Sequence, residues 1–309
     1  MRLVGVEEFG GPERLQVFEV PEPHVRDGEV RIRVAAVAVN PTDTGVRRGM
    51  RDTGGAPPPY APGMDAAGVV DEVGEGSPWR AGDRVMAMAL PLSEHGGAYV
   101  EHLVGPWESM APVPDGSDLV HASTLPMNGL TALQCLELLH LPPGATLAVT
   151  GAAGTLGGYL VQLAKHAGLR VVADAAEKDR DLVASFGPDE IVDRGDDVAK
   201  RIRALVPEGV DGLVDASVQR EQVVAAVRDA GGFVSVRGWA GEPERGIAFT
   251  RAMVSREYRS QPKLETLRRF AEDGLLTLRV ADVLPVDQAA EAHRRLEAGG
   301  VRGRIVLTF

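Results

Sequence analysis

The chain has 309 residues, 44% of them hydrophobic and 25% charged, and a formal net charge of −11 at pH 7. That length and balance fit a soluble protein of two domains, and the acidity argues against nucleic acid or an anionic membrane as the main partner. A single cysteine, Cys135, excludes an internal disulfide and a cysteine-rich zinc site. The first residues, MRLVGVEEFGG, carry two glutamates and no long apolar run. No signal peptide is therefore expected, and the cytoplasm is the expected compartment.

The first third is strand-like and broken by turns. EVRIRVAAVAVN (29–40) and AAGVVDEVG (66–74) are β-branched runs, and Gly82-Asp83 is a turn signal. Between them, RDTGGAPPPYAPG (51–63) packs three glycines and four prolines into one loop, as a substrate-side lid does. Cys135 lies in LTALQCLELLHL, a helical apolar pattern in which it reads as a buried small hydrophobe.

After about residue 120 the rhythm changes. Strands are predicted at 145–150, 170–174, 190–193, 212–216 and 233–236. Helical stretches fall between them: 156–168, then EKDRDLVASFG, VAKRIRALV and QVVAAVRDA. This alternation predicts an α/β fold with a doubly wound parallel sheet. The tail, RVADVLP, a helix VDQAAEAHRRLEAGG and a last strand GRIVLTF, has no place in that alternation and is expected to rejoin the first domain.

At the start of the alternation stands AVTGAAGTLGG (148–158), where glycines follow a strand and open a helix. Gly151 lets the strand turn sharply, and Gly154 removes a Cβ that would block a pyrophosphate. Gly157 or Gly158 lets the helix approach the sheet. The helix N-terminus then offers N–H groups and a favourable dipole to phosphate oxygens. Leu156, Leu160 and Leu163 form its inward stripe. Asp174 ends the next strand, about twenty residues on, where a carboxylate can hydrogen-bond a ribose. A dinucleotide site is expected here. Thr155, Leu156, Asp215 and Gly238 complete the residues expected around it, with Lys178 and Arg180 in reach of a 2′-phosphate.

Set beside this site, the stretches EEFGGPERLQVFEVPEP, VNPTDTGVRRG, PGMDAAGVVDEVGEG, AGDRVMAM, GGAYVEHLV and LPMNGLTALQCL make the whole chain resemble the zinc-independent medium-chain dehydrogenase/reductase superfamily, in its quinone oxidoreductase (zeta-crystallin-like) branch. The resemblance implies a mainly β, GroES-like catalytic domain over 1–120, completed by 272–309, and a Rossmann domain over 121–271. It implies an active site in the cleft between them and a homodimer joined at a sheet edge. Zinc-containing relatives place a cysteine where this chain has Asn40 and a histidine–glutamate pair at Met64-Asp65. A catalytic zinc needs three nitrogen, sulfur or carboxylate ligands. Asn40 and Met64 cannot serve, so no metal is expected.

Without zinc, the implied chemistry is hydride transfer from NAD(P)H to a quinone or a small α,β-unsaturated carbonyl, with the cofactor carrying the difficult step. By resemblance Asn40 and Asp43 sit at the nicotinamide side, Thr131 approaches the nicotinamide or its phosphate, and Asn128 faces the same cavity. Arg51 stands where the enoyl-reductase branch carries a tyrosine proton donor. Arginine is a poor acid but can stabilise an enolate oxygen, and Tyr60 in the same loop is the alternative donor. NADPH is the family habit, whereas Asp174 favours NADH. A reductase dedicated to one bulky biosynthetic intermediate and a nucleotide-binding protein with little turnover remain open alternatives.

Overall fold

The computed structural model describes residues 1–309. The chain folds into two compact units: Met1–Met127 with Ser255–Gly274 and Leu278–Phe309, and Asn128–Val254 with Leu275–Thr277.

The first unit begins with β1 (Arg2–Gly5) paired antiparallel to β2 (Gln16–Glu19). The long strand β3 (Glu29–Ala38) buries Val30, Ile32 and Val34 on one face while Arg33 points to solvent, the period-two pattern of a strand covered on one side. Helix α1 (Pro41–Arg47) starts where Asn40 and Asp43 close a reciprocal capping box, with Pro41 supplying a preset φ at the first helical position. It stops before Gly49, whose φ of 69° ends the turn. Strands β4 (Asp65–Val73), β5 (Arg84–Met88), β6 (His102–Pro106) and β7 (Met110–Pro112) follow. The short α2 (Leu119–Ala122) and α3 (Pro126–Leu139) lead on to the second unit.

The second unit carries β8 (Thr146–Thr150), α4 (Thr155–His166), β9 (Arg170–Ala175), α5 (Arg180–Ala184), β10 (Glu190–Asp193), α6 (Val198–Leu205), β11 (Val210–Asp215), α7 (Glu221–Val224), β12 (Val227–Ser235) and β13 (Ala248–Arg251). Its six strands are all parallel in the order β10-β9-β8-β11-β12-β13. Strand order reverses between β8 and β11, the place where doubly wound sheets open a ligand crevice. Val172, Ile202, Leu213 and Phe233 belong to its core. One expected element is corrected. The stretch 222–230 reads as helical, yet α7 ends at Val224 and β12 begins at Val227. Val227 pairs with Val210 and is fully buried, Arg228 Nε binds Asp211 at 2.7 Å, and Ala230 takes a φ of 56° that a helix cannot accommodate.

The chain then returns. Helix α8 (Gln261–Glu272) packs on β7 in the first unit. After it come β14 (Val280–Pro285), α9 (Ala289–Ala298) and β15 (Arg304–Thr308). β15 pairs antiparallel with β3, setting Val306 opposite Ala38. The resulting seven-stranded sheet runs β14-β15-β3-β4-β5-β7, with β6 also on β3. Its core joins Val30 and Ile32 to Ile305 and Leu307. No helix is long and apolar enough to cross a membrane.

Candidate active site

In the second unit β8 runs into Gly151, whose φ of 74° reverses the chain. A Cβ there would lie 3.1 Å from the Ala216 carbonyl and the Ser217 nitrogen, so two loops meet at this glycine. Gly157 is the tightest position of the turn. A Cβ on it would stand 2.2 Å from the Gly151 oxygen, so its absence lets α4 press onto the turn itself. Gly154 differs. It is the N-cap of α4, extended at φ −72°, and a Cβ on it would meet only the Gly151 oxygen at 3.2 Å. As a glycine it offers the helix start no side-chain cap. Along α4, Leu160 and Leu163 are buried and Leu156 is half-buried.

Two buried polar atoms around this turn lack a protein partner, Thr155 Oγ1 and Asp174 Oδ2. Buried polar groups are normally hydrogen-bonded, so both atoms are available to a bound group. Together with the space left at Gly154, they fit a polar ligand such as the pyrophosphate and ribose of a dinucleotide. Asp174 nonetheless does more than was expected of it. Its Oδ1 accepts the Gly151 N–H at 2.6 Å and the Ala152 N–H at 3.2 Å, so one carboxylate oxygen fastens the glycine turn to β9. Burial raises its pKa, with the Asp215 charge adding, while the two amides and the Arg194 cation oppose the rise.

The basic residues nearby have different surroundings. Arg180 is committed to Asp193 at 2.9 Å and to the Ile191 carbonyl at 3.1 Å, and Lys178 is exposed. The cation acting on Asp174 is Arg194, exposed just past β10, where its backbone N–H binds the Ala175 carbonyl. No sequence motif marks it; only the parallel register of β9 and β10 does. Asp215 is heavily engaged within the chain. Its carboxylate accepts the Thr150 hydroxyl at 2.8 Å and clamps its own loop through Ser217, Gln219 and Arg220. Gly238 lies in an exposed loop at φ 78°. Asn128 and Thr131 are buried one turn apart on α3, on one face.

In the first unit, Asn40 and Asp43 belong to a wholly buried polar cluster. Asn40 Nδ2 donates to Asp65 Oδ2 at 2.7 Å and to the Ala38 carbonyl at 3.1 Å. Asp65 Oδ1 accepts the Met127 N–H at 2.6 Å. Asp43 Oδ2 accepts the Asn40 N–H at 2.7 Å and the Tyr99 hydroxyl at 3.2 Å, and Oδ1 accepts the Gly63 N–H at 3.3 Å. Asp43 thus caps α1 and holds the Gly63 turn. Burial pushes it up to about 7, with the Asp65 charge adding and the three donors opposing. Burial likewise pushes Asp65 up to about 6, against the Met127 and Asn40 donors and the Arg304 charge.

The cluster continues into α9. Tyr99 Oη lies 3.2 Å from His293 Nε2, and the fully buried Arg47 binds Glu297 at 2.5 Å. Burial and the Arg47 charge drive His293 down to about 3, so it is neutral at ordinary pH. Because Tyr99 donates to Asp43, His293 must donate from Nε2, which assigns its tautomer. In sequence His293 is one histidine among seven, without a spacing that singles it out. Arg51 is exposed, and Tyr60 stacks on Phe9 with centroids 4.9 Å apart, a packing role. Burial pushes the Cys135 thiol up to about 12, the inert hydrophobe expected.

No group of three or more histidine, cysteine, aspartate or glutamate side chains is arranged to hold a metal. The Asn40 amide, which the resemblance sets in a zinc-ligand position, is engaged with Asp65. His95 and His102 are each paired with a carboxylate, Glu29 and Asp71, at 3.0 Å. The donor set does not fit a catalytic zinc.

Residues 26–115 match the alcohol dehydrogenase GroES-like domain, and residues 186–307 match the zinc-binding dehydrogenase family. The chain is 29% identical to a quinone oxidoreductase of Sus scrofa, over 99% of this chain and 97% of the other. It is 28% identical to a chloroplastic NADPH-dependent alkenal/one oxidoreductase of Arabidopsis thaliana, over 97% and 77%. The crystal structure of an NAD-dependent alcohol dehydrogenase superposes with a TM-score of 0.88 at 30% identity, covering 100% of both chains. The glycine turn that opens α4, the engaged Asn40 in a ligand position and these full-length likenesses lead to one assignment: the chain belongs to the zinc-independent medium-chain dehydrogenase/reductase superfamily, in its quinone oxidoreductase branch.

Proposed function

We propose that this protein is a metal-independent reductase that uses NAD(P)H to reduce a quinone or a small α,β-unsaturated carbonyl compound. The observation that carries the reading is the Asn40–Asp65 hydrogen bond of 2.7 Å, which occupies a ligand position of the metal-dependent relatives. Alcohol oxidation in those relatives relies on a Lewis acid to stabilise the alkoxide. An acceptor whose carbon is already electrophilic by conjugation needs none. The bound nicotinamide supplies the hydride. The chain's own part is to hold the dinucleotide on the Gly151 turn and the first turn of α4, and to fix Asn40 rigidly through Asp65 and the α1 cap. Arg51, exposed and permanently charged, is the group we assign to an acceptor oxygen as charge develops on it.

For the choice of cofactor, the unpartnered Asp174 Oδ2 supports acceptance of NADH at least comparably with NADPH, because a ribose hydroxyl can donate to it and a 2′-phosphate cannot. Arg180 is tied to Asp193 and is not a phosphate ligand in this reading, which leaves Lys178 and Arg194 as the cations available to NADPH. The assembly we infer is a homodimer joined through the outer edge of β13, the last strand of the parallel sheet. Purified protein is to be given NADH or NADPH with a panel of quinones and enones, with and without a chelator, following loss of the reduced-nicotinamide absorbance. Acceptor-dependent oxidation unaffected by the chelator is expected. Cofactor binding without turnover on any acceptor would refute the reading in favour of a binding protein.

A further inference from the structure

We propose that Val218 contacts the bound dinucleotide, its isopropyl group forming an apolar wall of the crevice beside the Gly151 turn; the inference rests on the nicotinamide site assigned above. Val218 has a φ of 63°, and Arg220, two residues on, has 58°. A β-branched residue is among the least suited to left-handed backbone, where glycine or asparagine sits without strain. Such outliers persist only where the surroundings over-determine them, and they gather at functional sites.

The surroundings here are explicit. Asp215, at the end of β11, accepts at Oδ1 from the Thr150 hydroxyl (2.8 Å), the Gln219 N–H (3.1 Å) and both the N–H and hydroxyl of Ser217 (3.2 Å each). Its Oδ2 accepts the Arg220 N–H at 2.7 Å. One carboxylate therefore dictates the path of 217–220 and ties it to the end of β8. Val218 takes no part in the clamp's hydrogen bonds, and at 36% exposure it is partly open to solvent. A glycine would suit the backbone better and leave every clamp bond intact. A strained valine with about a third of its surface open to solvent is placed to make a contact outside the chain.

The place identifies that contact. The loop abuts Gly151, since Ala216 and Ser217 lie 3.1 Å from where a Gly151 Cβ would be. It follows β11 while the glycine turn follows β8, and these are the neighbouring strands between which the order reverses. A ligand seated on the Gly151 turn has this loop as its opposite wall. The stiff χ1 of valine gives that wall a fixed shape.

The test uses the full chain and reads binding and stability together. Val218→Gly, with the clamp intact, is expected to keep or raise the thermal midpoint, by about 1–3 °C. It is also expected to weaken NADH and NADPH alike by about tenfold in Kd, measured by nicotinamide fluorescence or calorimetry. Val218→Asn, which tolerates the backbone but presents a polar side chain, is expected to show a similar loss of affinity. Unchanged Kd in both variants overturns the proposal. A fall in midpoint for Val218→Gly also overturns it, because the valine would then be part of the fold. Wild-type protein that binds neither cofactor instead refutes the nicotinamide site itself, a separate outcome.

Discussion

Adding one methyl group at Gly154 and at Gly157 should have opposite consequences. In Gly157→Ala the new carbon would stand 2.2 Å from the Gly151 oxygen and 2.7 Å from Ala152 Cα, well inside ordinary contact. The atoms it meets are backbone, and the Gly151 turn that carries them is closely flanked by Ala216 and Ser217, which would stand 3.1 Å from a Cβ on Gly151. Overpacking of this kind costs about 1–3 kcal/mol or more, and the better helix propensity of alanine returns only about 1 kcal/mol. With contacts this short the upper end applies, and a net loss of about 1–2 kcal/mol is expected. In Gly154→Ala the only close atom is the Gly151 oxygen at 3.2 Å, and the extended backbone (φ −72°, ψ 166°) suits any residue. The small gain from a less flexible unfolded chain and the small loss at an N-cap nearly cancel, leaving stability within about 0.5 kcal/mol. Its methyl group, however, projects from the turn where the pyrophosphate is to lie. Urea denaturation and cofactor titration on both variants separate the two roles. Gly154→Ala should unfold like wild type and bind NADH or NADPH at least about tenfold more weakly. A wild-type denaturation midpoint for Gly157→Ala, or wild-type affinity for Gly154→Ala, would refute the division of labour between the two glycines.

The stability of the protein should depend on the buried cluster in a way whose sign differs by residue. His293, at about 3 when folded against an ordinary 6.5, is neutral in the fold, so its contribution is complete above pH 6.5 and is lost as pH falls toward 3. The gap corresponds to something on the order of 5 kcal/mol at the acid end. Asp43 and Asp65, raised to about 7 and about 6, act oppositely, their contribution being present near pH 4 and lost as pH rises through those values. The denaturation midpoint of Asp43→Asn, followed from pH 4 to 8, should therefore fall less steeply with rising pH than that of wild type, and a parallel curve would contradict the assignment. Arg51→Ala should leave stability within about 0.5 kcal/mol, as an exposed loop position does, while changing kcat/KM. Wild-type kinetics on every accepted acceptor would remove Arg51 from the site.

The parallel sheet was legible because strand and helix lengths alternate with local periods, and four of its expected strands lie within two residues of β8, β9, β10 and β11. Where local propensity and long-range pairing disagree, as at Val227, pairing with Val210 prevails and the expected helix stops short. Gly151 and Gly157 announce themselves because a missing side chain is a strong local signal. Arg194 and His293 do not. Arg194 meets Asp174 only through strand register, and His293 reaches Tyr99 across 194 residues of sequence. Asp43, Asp174 and Asp215 read from sequence as ligand-facing carboxylates, and their types and positions do not reveal that backbone amides also bind them.

The pairing of Ala36–Ala38 with Val306–Thr308 has a consequence for how the polypeptide is made. On the ribosome, β3 emerges early and then waits for nearly the whole chain before its β15 neighbour exists. Arg47 waits equally long for Glu297. The parallel unit between them is contiguous apart from Leu275–Thr277 and can form as soon as it is released. Synthesis therefore lets the parallel unit form before β3, already paired with β4 and β6, gains its β15 neighbour. During that interval the edge of β3 and a buried arginine are exposed, a window for aggregation that closes only with the final strand.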